Sequence, residues 1–120
     1  MKIMVSAQGP DLQSQVSPRF GRGAYFLAID TDTLDFTVLD NSSAVDSKQG
    51  AGVQAAQKVA ASGVSALLTG HCGPKAHQVL TAAGITIYNN VEGTVTDAVA
   101  RFNAGDFTCI AVPDVEGHWQ

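Results

Sequence analysis

Three stretches with the apolar spacing of an amphipathic helix dominate the second half of this 120-residue chain, and a glycine follows each of them. Within the stretches, apolar residues recur at the period of a single buried helix face. A glycine just beyond a helix can adopt the left-handed conformation that ends it. An apolar run typical of a strand comes next each time, so the pattern predicts repeated helix–strand units and a mostly parallel sheet covered by helices. The predicted helices lie in 53–60, 76–83 and 95–102, the glycines are Gly63, Gly84 and Gly105, and the strand runs are 64–69, 85–88 and 107–112.

The first 40 residues predict strands instead of helices. Apolar residues alternate with others over 2–7, run without interruption over 25–29, and return over 36–39 after a turn at 30–33. A hairpin reverses the second strand, whereas right-handed crossovers keep the later strands parallel to the first. The length suits one domain. We therefore expect a single α/β domain over 1–112, with a mixed, mostly parallel sheet and an N-terminal hairpin, and a loose tail over 113–120.

Four loops of this arrangement open at one edge of the sheet, where the parallel strands have their carboxyl ends. We call this edge the rim; its loops are 7–23, 40–52, 70–75 and 89–94. Ligands of open α/β sheets bind there, and the N-termini of all three predicted helices point toward it with N–H groups and partial positive charge. Bare glycine backbone lets a bulky ligand come close to peptide groups. Eight of the 12 glycines lie in or beside these loops: Gly9, Gly21, Gly23, Gly50, Gly52, Gly70, Gly73 and Gly93.

The segment that begins at Gly70 has more potentially reactive or metal-ligating side chains than any other part of the sequence. Pro74 suits the first turn of a helix, so Cys72 is expected beside a helix N-terminus, which lowers a thiol pKa and favours the thiolate. With the imidazole of His71, a thiolate would suit copper, zinc or iron. A free cysteine is also commonly a small buried apolar residue. Both interpretations of Cys72 stay open at this point.

Two enzyme motifs do not match this chain. A cysteine phosphatase loop needs an arginine six positions after the cysteine to hold phosphate, and Gln78 stands there. The loop after the first strand lacks the G-x-G-x-x-G pattern of dinucleotide binding. No catalytic constellation is predicted, although sulfur transfer through Cys72 remains an alternative.

Charge excludes some partners and leaves others open. The chain has 7 basic and 11 acidic residues and a net charge of −4, which argues against nucleic-acid binding. No apolar run is long enough to span a membrane, no signal peptide is evident, and two cysteines make no disulfide framework, so we expect a cytoplasmic protein. Four of the seven basic residues nevertheless fall in the rim loops, which fits an anion-binding rim or simply solvated loop charge: Arg19, Arg22, Lys48 and Lys75.

The chain resembles the dinitrogenase iron–molybdenum cofactor-binding domain family in its rim motifs, and the likeness runs to about residue 108. The motifs are Ser17-Pro18-Arg19-Phe20-Gly21-Arg22, Gly50-Ala51-Gly52, Gly70-x-Cys72-Gly73-Pro74-x-Ala76 and Gly93-Thr94-Val95. The resemblance implies a ribonuclease H-like three-layer α/β fold and a nitrogenase-accessory type of carrier or scaffold without catalysis. Its implied cargo is a preassembled metal–sulfide cluster, of molybdenum–copper sulfide or iron–molybdenum cofactor type. It also implies a possible P-loop ATPase partner.

The expected site combines the matched motifs with the chemistry of the rim. His71 and Cys72 are the candidate metal ligands, and a cluster held with no covalent bond is the alternative. A small-anion or protein-interaction module is a further alternative; nucleic acid and membrane are not expected as partners. The expected cluster-binding residues are Arg19, Phe20, Gly21, Arg22, Gly50, Ala51, Gly52, Gly70, Gly73, Pro74 and Lys75.

Overall fold

The computed structural model describes residues 1–20, 24–40 and 51–105. The elements in chain order are β1 (Lys2–Ala7), β2 (Tyr25–Asp30), β3 (Phe36–Asp40), α1 (Ala51–Ala61), β4 (Ala66–Leu68), α2 (Pro74–Ala82), β5 (Thr86–Tyr88) and α3 (Val95–Asn103). The strand expected at 107–112 and the tail expected at 113–120 lie outside the described residues, so the predicted domain boundary stays a prediction. None of the described helices is both long and apolar enough to cross a bilayer.

The five strands form one mixed sheet in the order β3-β2-β1-β4-β5. β2 is antiparallel to both of its neighbours, whereas β4 is parallel to β1 and to β5. Four strands therefore point the same way, and their carboxyl ends share one edge. The mixed sheet with three helices confirms the expected fold class.

Helices cover both faces of the sheet, which makes three layers. One core lies under α1 and α2 and contains Met4, Leu67 and Ile87. The other lies under α3 and contains Ile3, Leu68 and Val99. Because a central strand is covered on both sides, every β1 residue after Lys2 is buried, although the alternating sequence there is typical of a half-exposed strand.

The ends of the helices follow the predicted glycines. Gly63, Gly84 and Gly105 have φ angles of 81°, 81° and 78°, which is the left-handed region that glycine favours. Each lies two residues beyond a helix, so the 21-residue spacing of the glycines is also the spacing of the helix ends. The prediction that these three glycines end the helices is confirmed.

Candidate functional site

The loop between β1 and β2 folds across the rim and is hydrogen-bonded to the loops that follow β4 and β5. The N–H of Val16 donates to the carbonyl of Gly93 at 2.9 Å, and the N–H of Gly70 donates to the carbonyl of Ser17 at 3.1 Å. The N–H of Phe20 donates to the carbonyl of His71 at 2.8 Å. Backbone contacts between distant loops thus fix the shape of the rim.

A cleft of about 460 Å³ lies among these three loops. Most of its polar side chains are neutral carboxamides, joined by one imidazole and one carboxylate. Gly70 and His71 are predicted at the rim from the sequence, whereas Gln8, Gln15 and Asn90 are not among the predicted site residues. Their signal in the sequence was weak: polar residues soon after β1 and β5. The cleft is lined by Gln8, Gln15, Val16, Pro18, Gly70, His71, Asn90, Val91, Glu92 and Gly93.

A second groove, of about 340 Å³, shares Gln8 and Pro18 with the cleft and is also lined by Ser17, Arg19 and Ala24. The side chain of Arg19 is exposed. A turn holds its backbone, because the Ser17 hydroxyl donates to the Arg19 carbonyl at 2.7 Å. Arg19 therefore lies on the margin of the cleft, with Pro18 between the two hollows.

Gly70 lies where two stretches of backbone touch. A β-carbon at this position would lie 2.5 Å from the carbonyl oxygen of Pro18 and 2.6 Å from its α-carbon. Glycine was expected here to admit a ligand, whereas the structure shows the protein's own loop in that space. Gly73 differs, because a β-carbon there would meet nothing within 4 Å.

The side chains of Phe20 and Cys72 lie in the core under α1 and α2. The Phe20 ring packs on Phe26 with centroids 5.3 Å apart. Cys72 has no exposed surface, and burial raises the pKa of its thiol to about 12. Of the two interpretations of Cys72, the buried apolar residue is confirmed and the low-pKa thiolate is wrong, because desolvation disfavours the charged form more than the nearby helix N-terminus favours it. Both residues anchor the rim loops from beneath.

Two helix N-termini at the rim differ in how their donors are used. In α3, the N–H groups of Val95 and Thr96 donate to the carbonyls of Ser14 and Leu12 at 2.9 and 3.0 Å. The N–H of Asp97 donates to the Thr94 hydroxyl, completing a capping box. The expectation that every helix N-terminus offers donors is therefore wrong for α3, whose first N–H groups are already bonded.

The N-terminus of α2 is less occupied. Its cap is Gly73, which has no side chain that could accept a hydrogen bond from the first N–H groups of the helix. Pro74 is the first helical residue, as predicted, and both Pro74 and Lys75 are exposed. The partial positive charge of this helix end is thus directed at the rim beside His71.

The remaining expected residues divide into two groups. Ala51 and Gly52 form the start of α1. Gly21, Arg22 and Gly50 lie outside the described residues, as does Lys48. Over 1–20, 24–40 and 51–105, no three His, Cys, Asp or Glu side chains come together as a metal-binding group.

Comparison with known proteins agrees with this architecture. The orange protein from Desulfovibrio gigas, solved in its apo form, superposes with a TM-score of 0.91 at 44% identity, over 95% of this chain and 96% of that one. A NifB-like protein from Thermotoga gives a TM-score of 0.81 at 31% identity, over 97% and 98% of the two chains. An uncharacterised protein from Methanocaldococcus jannaschii is 27% identical over 88% of this chain and 90% of its own length.

The family model described as dinitrogenase iron–molybdenum cofactor matches residues 1–105. That range includes every rim loop from which the resemblance was inferred. The chain therefore belongs to the dinitrogenase iron–molybdenum cofactor family.

Proposed function

We propose that this protein binds and carries a preassembled molybdenum-containing metal–sulfide cluster, which sits on the rim as cargo and is not chemically changed. The main observation that supports this proposal is the cleft at the rim. Its walls come from loops after three parallel strands, and it presents the carboxamides of Gln8, Gln15 and Asn90 beside the imidazole of His71. Amide and imidazole N–H groups donate hydrogen bonds, and sulfide and oxo atoms on the surface of an anionic cluster can accept them.

Size and charge support the same cargo. The cleft volume of about 460 Å³ falls within the roughly 300–1,000 Å³ of small-molecule sites. The cleft is lined by one carboxylate, Glu92, and the positive potential of Arg19 on the margin and of the α2 N-terminus opposes its charge. A compact polyanion can use such groups, although the whole chain is acidic.

The molybdenum–copper sulfide type of cluster is our first choice, because it is one of the two cargo types that the family resemblance implies and the chain is 44% identical to the orange protein. The iron–molybdenum cofactor type is the second. Contacts from the cleft hold the cluster without a covalent bond, or with His71 as a single ligand, and the proposal assigns no ligating role to Cys72. The P-loop ATPase partner and the cytoplasmic location stay predictions.

Reconstitution tests the proposal. Purified protein is mixed anaerobically with tetrathiomolybdate and copper(I), passed through a gel-filtration column, and analysed for molybdenum, copper and absorbance in the protein peak. We expect a coloured complex with a fixed metal-to-protein ratio. Molybdate with copper(I) is the control, because an oxyanion has the charge without the sulfide. Elution of all the colour with the small molecules would refute the proposal.

A further inference from the structure

A row of polar side chains crosses the sheet just beneath the rim. The register pairs Val5 with Leu68 and Leu68 with Tyr88, so the next residues along these strands, Ser6, Thr69 and Asn89, stand side by side. Side chains alternate between the faces of a strand. The row therefore lies on the face of Met4, Leu67 and Ile87, under α1 and α2.

The row is buried, but only part of it is hydrogen-bonded. Ser6 and Thr69 have no exposed surface, and their hydroxyl oxygens lie 2.8 Å apart in a hydrogen bond. Asn89 is 7% exposed, and neither its Nδ2 nor its Oδ1 has a partner within the described part of the chain. The row thus ends at an amide that makes no hydrogen bond to the residues that the structure describes.

An unpaired buried amide is an exception that needs a reason. Leaving such a group without a partner costs free energy, whereas an apolar side chain of similar shape does not. Sequences break rules of this kind mainly at functional positions. Stability alone therefore does not explain why position 89 is an asparagine.

Asn89 is also held next to the cleft. The residue after it, Asn90, has a φ of 61°, and its N–H donates to the Gly70 carbonyl at 2.7 Å. The N–H of Val91 donates to the Thr69 carbonyl at 3.1 Å. Asn90, Val91 and Gly70 all line the cleft, whereas Asn89 is not among the described residues that line it. The Asn89 backbone is therefore fixed next to the cleft, and its amide must turn toward the cleft to meet a ligand there.

We propose that Asn89 is a ligand-binding residue, whose Nδ2 donates a hydrogen bond to a terminal sulfur or oxygen atom of the anionic cargo. This inference rests on the proposed function and adds a specific donor to it. A carboxamide suits the task because it donates without adding charge. The ligand class is an anion with exposed sulfido or oxo atoms.

Two substitutions and a matched control test the inference, with tetrathiomolybdate and copper(I) as the probe. Asn89→Leu removes the amide and should weaken binding by about tenfold or more, the value of a hydrogen bond to a charged group. The same variant should keep or raise the thermal midpoint, because an unpaired polar group is gone. Asn89→Asp should bind more weakly still, since a carboxylate repels an anion. Asn103→Leu, which removes an exposed amide at the far end of α3, should bind like the wild type.

A direct signature comes from the side-chain amide resonance of Asn89 in ¹⁵N-labelled protein, identified by its loss in Asn89→Leu. We expect it to shift on addition of the probe, whereas the Asn103 amide should not. Wild-type binding by Asn89→Leu would overturn the inference and leave the proposed function intact. A lowered thermal midpoint for that variant would also overturn it, because the amide would then be stabilising. Failure of the wild-type protein to retain the probe would instead refute the proposed function.

Discussion

The carbonyl oxygen of Pro18 lies 2.5 Å from the point that a β-carbon on Gly70 would occupy. The Pro18 oxygen belongs to backbone and a β-carbon on Gly70 is attached directly to the α-carbon, so neither atom can rotate away as the end of a long side chain would. We expect Gly70→Ala to displace the β1–β2 loop and to lower the free energy of unfolding by about 1–3 kcal/mol, the usual cost of forcing an extra group into packed structure. Denaturant unfolding measures the change.

Gly73→Ala is the matched control for Gly70→Ala. Gly73 has an ordinary φ of −73°, and a β-carbon there meets nothing within 4 Å. Its cost should stay below about 1 kcal/mol, the price of a poorer helix cap. Equal losses for the two variants would show that the contact with Pro18 is not what requires glycine.

Cys72 should resist alkylation in the folded protein. Burial raises the pKa of its thiol from 9.0 to about 12, and only the thiolate reacts rapidly. In a Cys109→Ser background, which leaves Cys72 as the sole thiol, iodoacetamide at pH 8 should modify the unfolded chain far faster than the native one. Mass spectrometry gives both rates, and rapid labelling of the native protein would contradict the burial of this thiol.

The same thiol should make stability depend on pH in alkali. Above pH 9.0 the unfolded chain loses the Cys72 proton, whereas the folded protein keeps it up to about 12. The folded state then binds more protons, so the free energy of unfolding falls as pH rises through this interval. Replacing Cys72 by Ala in the Cys109→Ser background should flatten that part of the curve. Identical slopes with and without the thiol would argue against the raised pKa.

Arg19 should contribute modestly to cargo binding. It is exposed on the margin of the cleft, where a single charge is worth up to about 1 kcal/mol. We expect Arg19→Gln to weaken retention of tetrathiomolybdate with copper(I) by about two- to fivefold at low salt, and the difference to shrink at high salt because of screening. Arg101→Gln, which removes the same charge from the last turn of α3, should change little. Equal effects would mean that only net charge matters.

Thr94 should matter for stability through its cap on α3. Its hydroxyl accepts from the Asp97 N–H at 3.1 Å, and the Asp97 carboxylate accepts from the Thr94 N–H at 3.4 Å. Thr94→Ala should cost about 1 kcal/mol, whereas Thr94→Ser keeps the hydroxyl and should cost much less. Thermal denaturation separates the two, and a harmless Thr94→Ala would show that the capping box adds nothing here.

Much of the fold could be predicted because its signals are local. The left-handed conformations of the glycines that end the helices, such as Gly63 and Gly84, can be predicted because each glycine follows an amphipathic stretch. The common edge of the strand ends follows from the handedness of the crossovers. Pro74 begins α2 for a reason confined to its own ring.

The details of the site could not be predicted in the same way, because they depend on contacts between distant segments. Gly70 and Pro18 are more than fifty positions apart, so the sequence alone suggests a ligand where the protein's own backbone lies. The raised pKa of Cys72 depends on how deeply the core buries it, which motif spacing does not report. Asn89 is an ordinary polar residue after a strand until its neighbours are known.

The burial of Cys72 has a consequence for any sulfur-rich cargo on the rim. Thiolates exchange readily with metal-bound sulfide and can strip copper from a cluster, whereas a protonated thiol sealed in a core does neither. Of the side chains described, those that line the cleft include no thiol. A cluster bound there meets no thiol in the described lining that could exchange its sulfide or remove its copper, so it can be released with all of its own atoms.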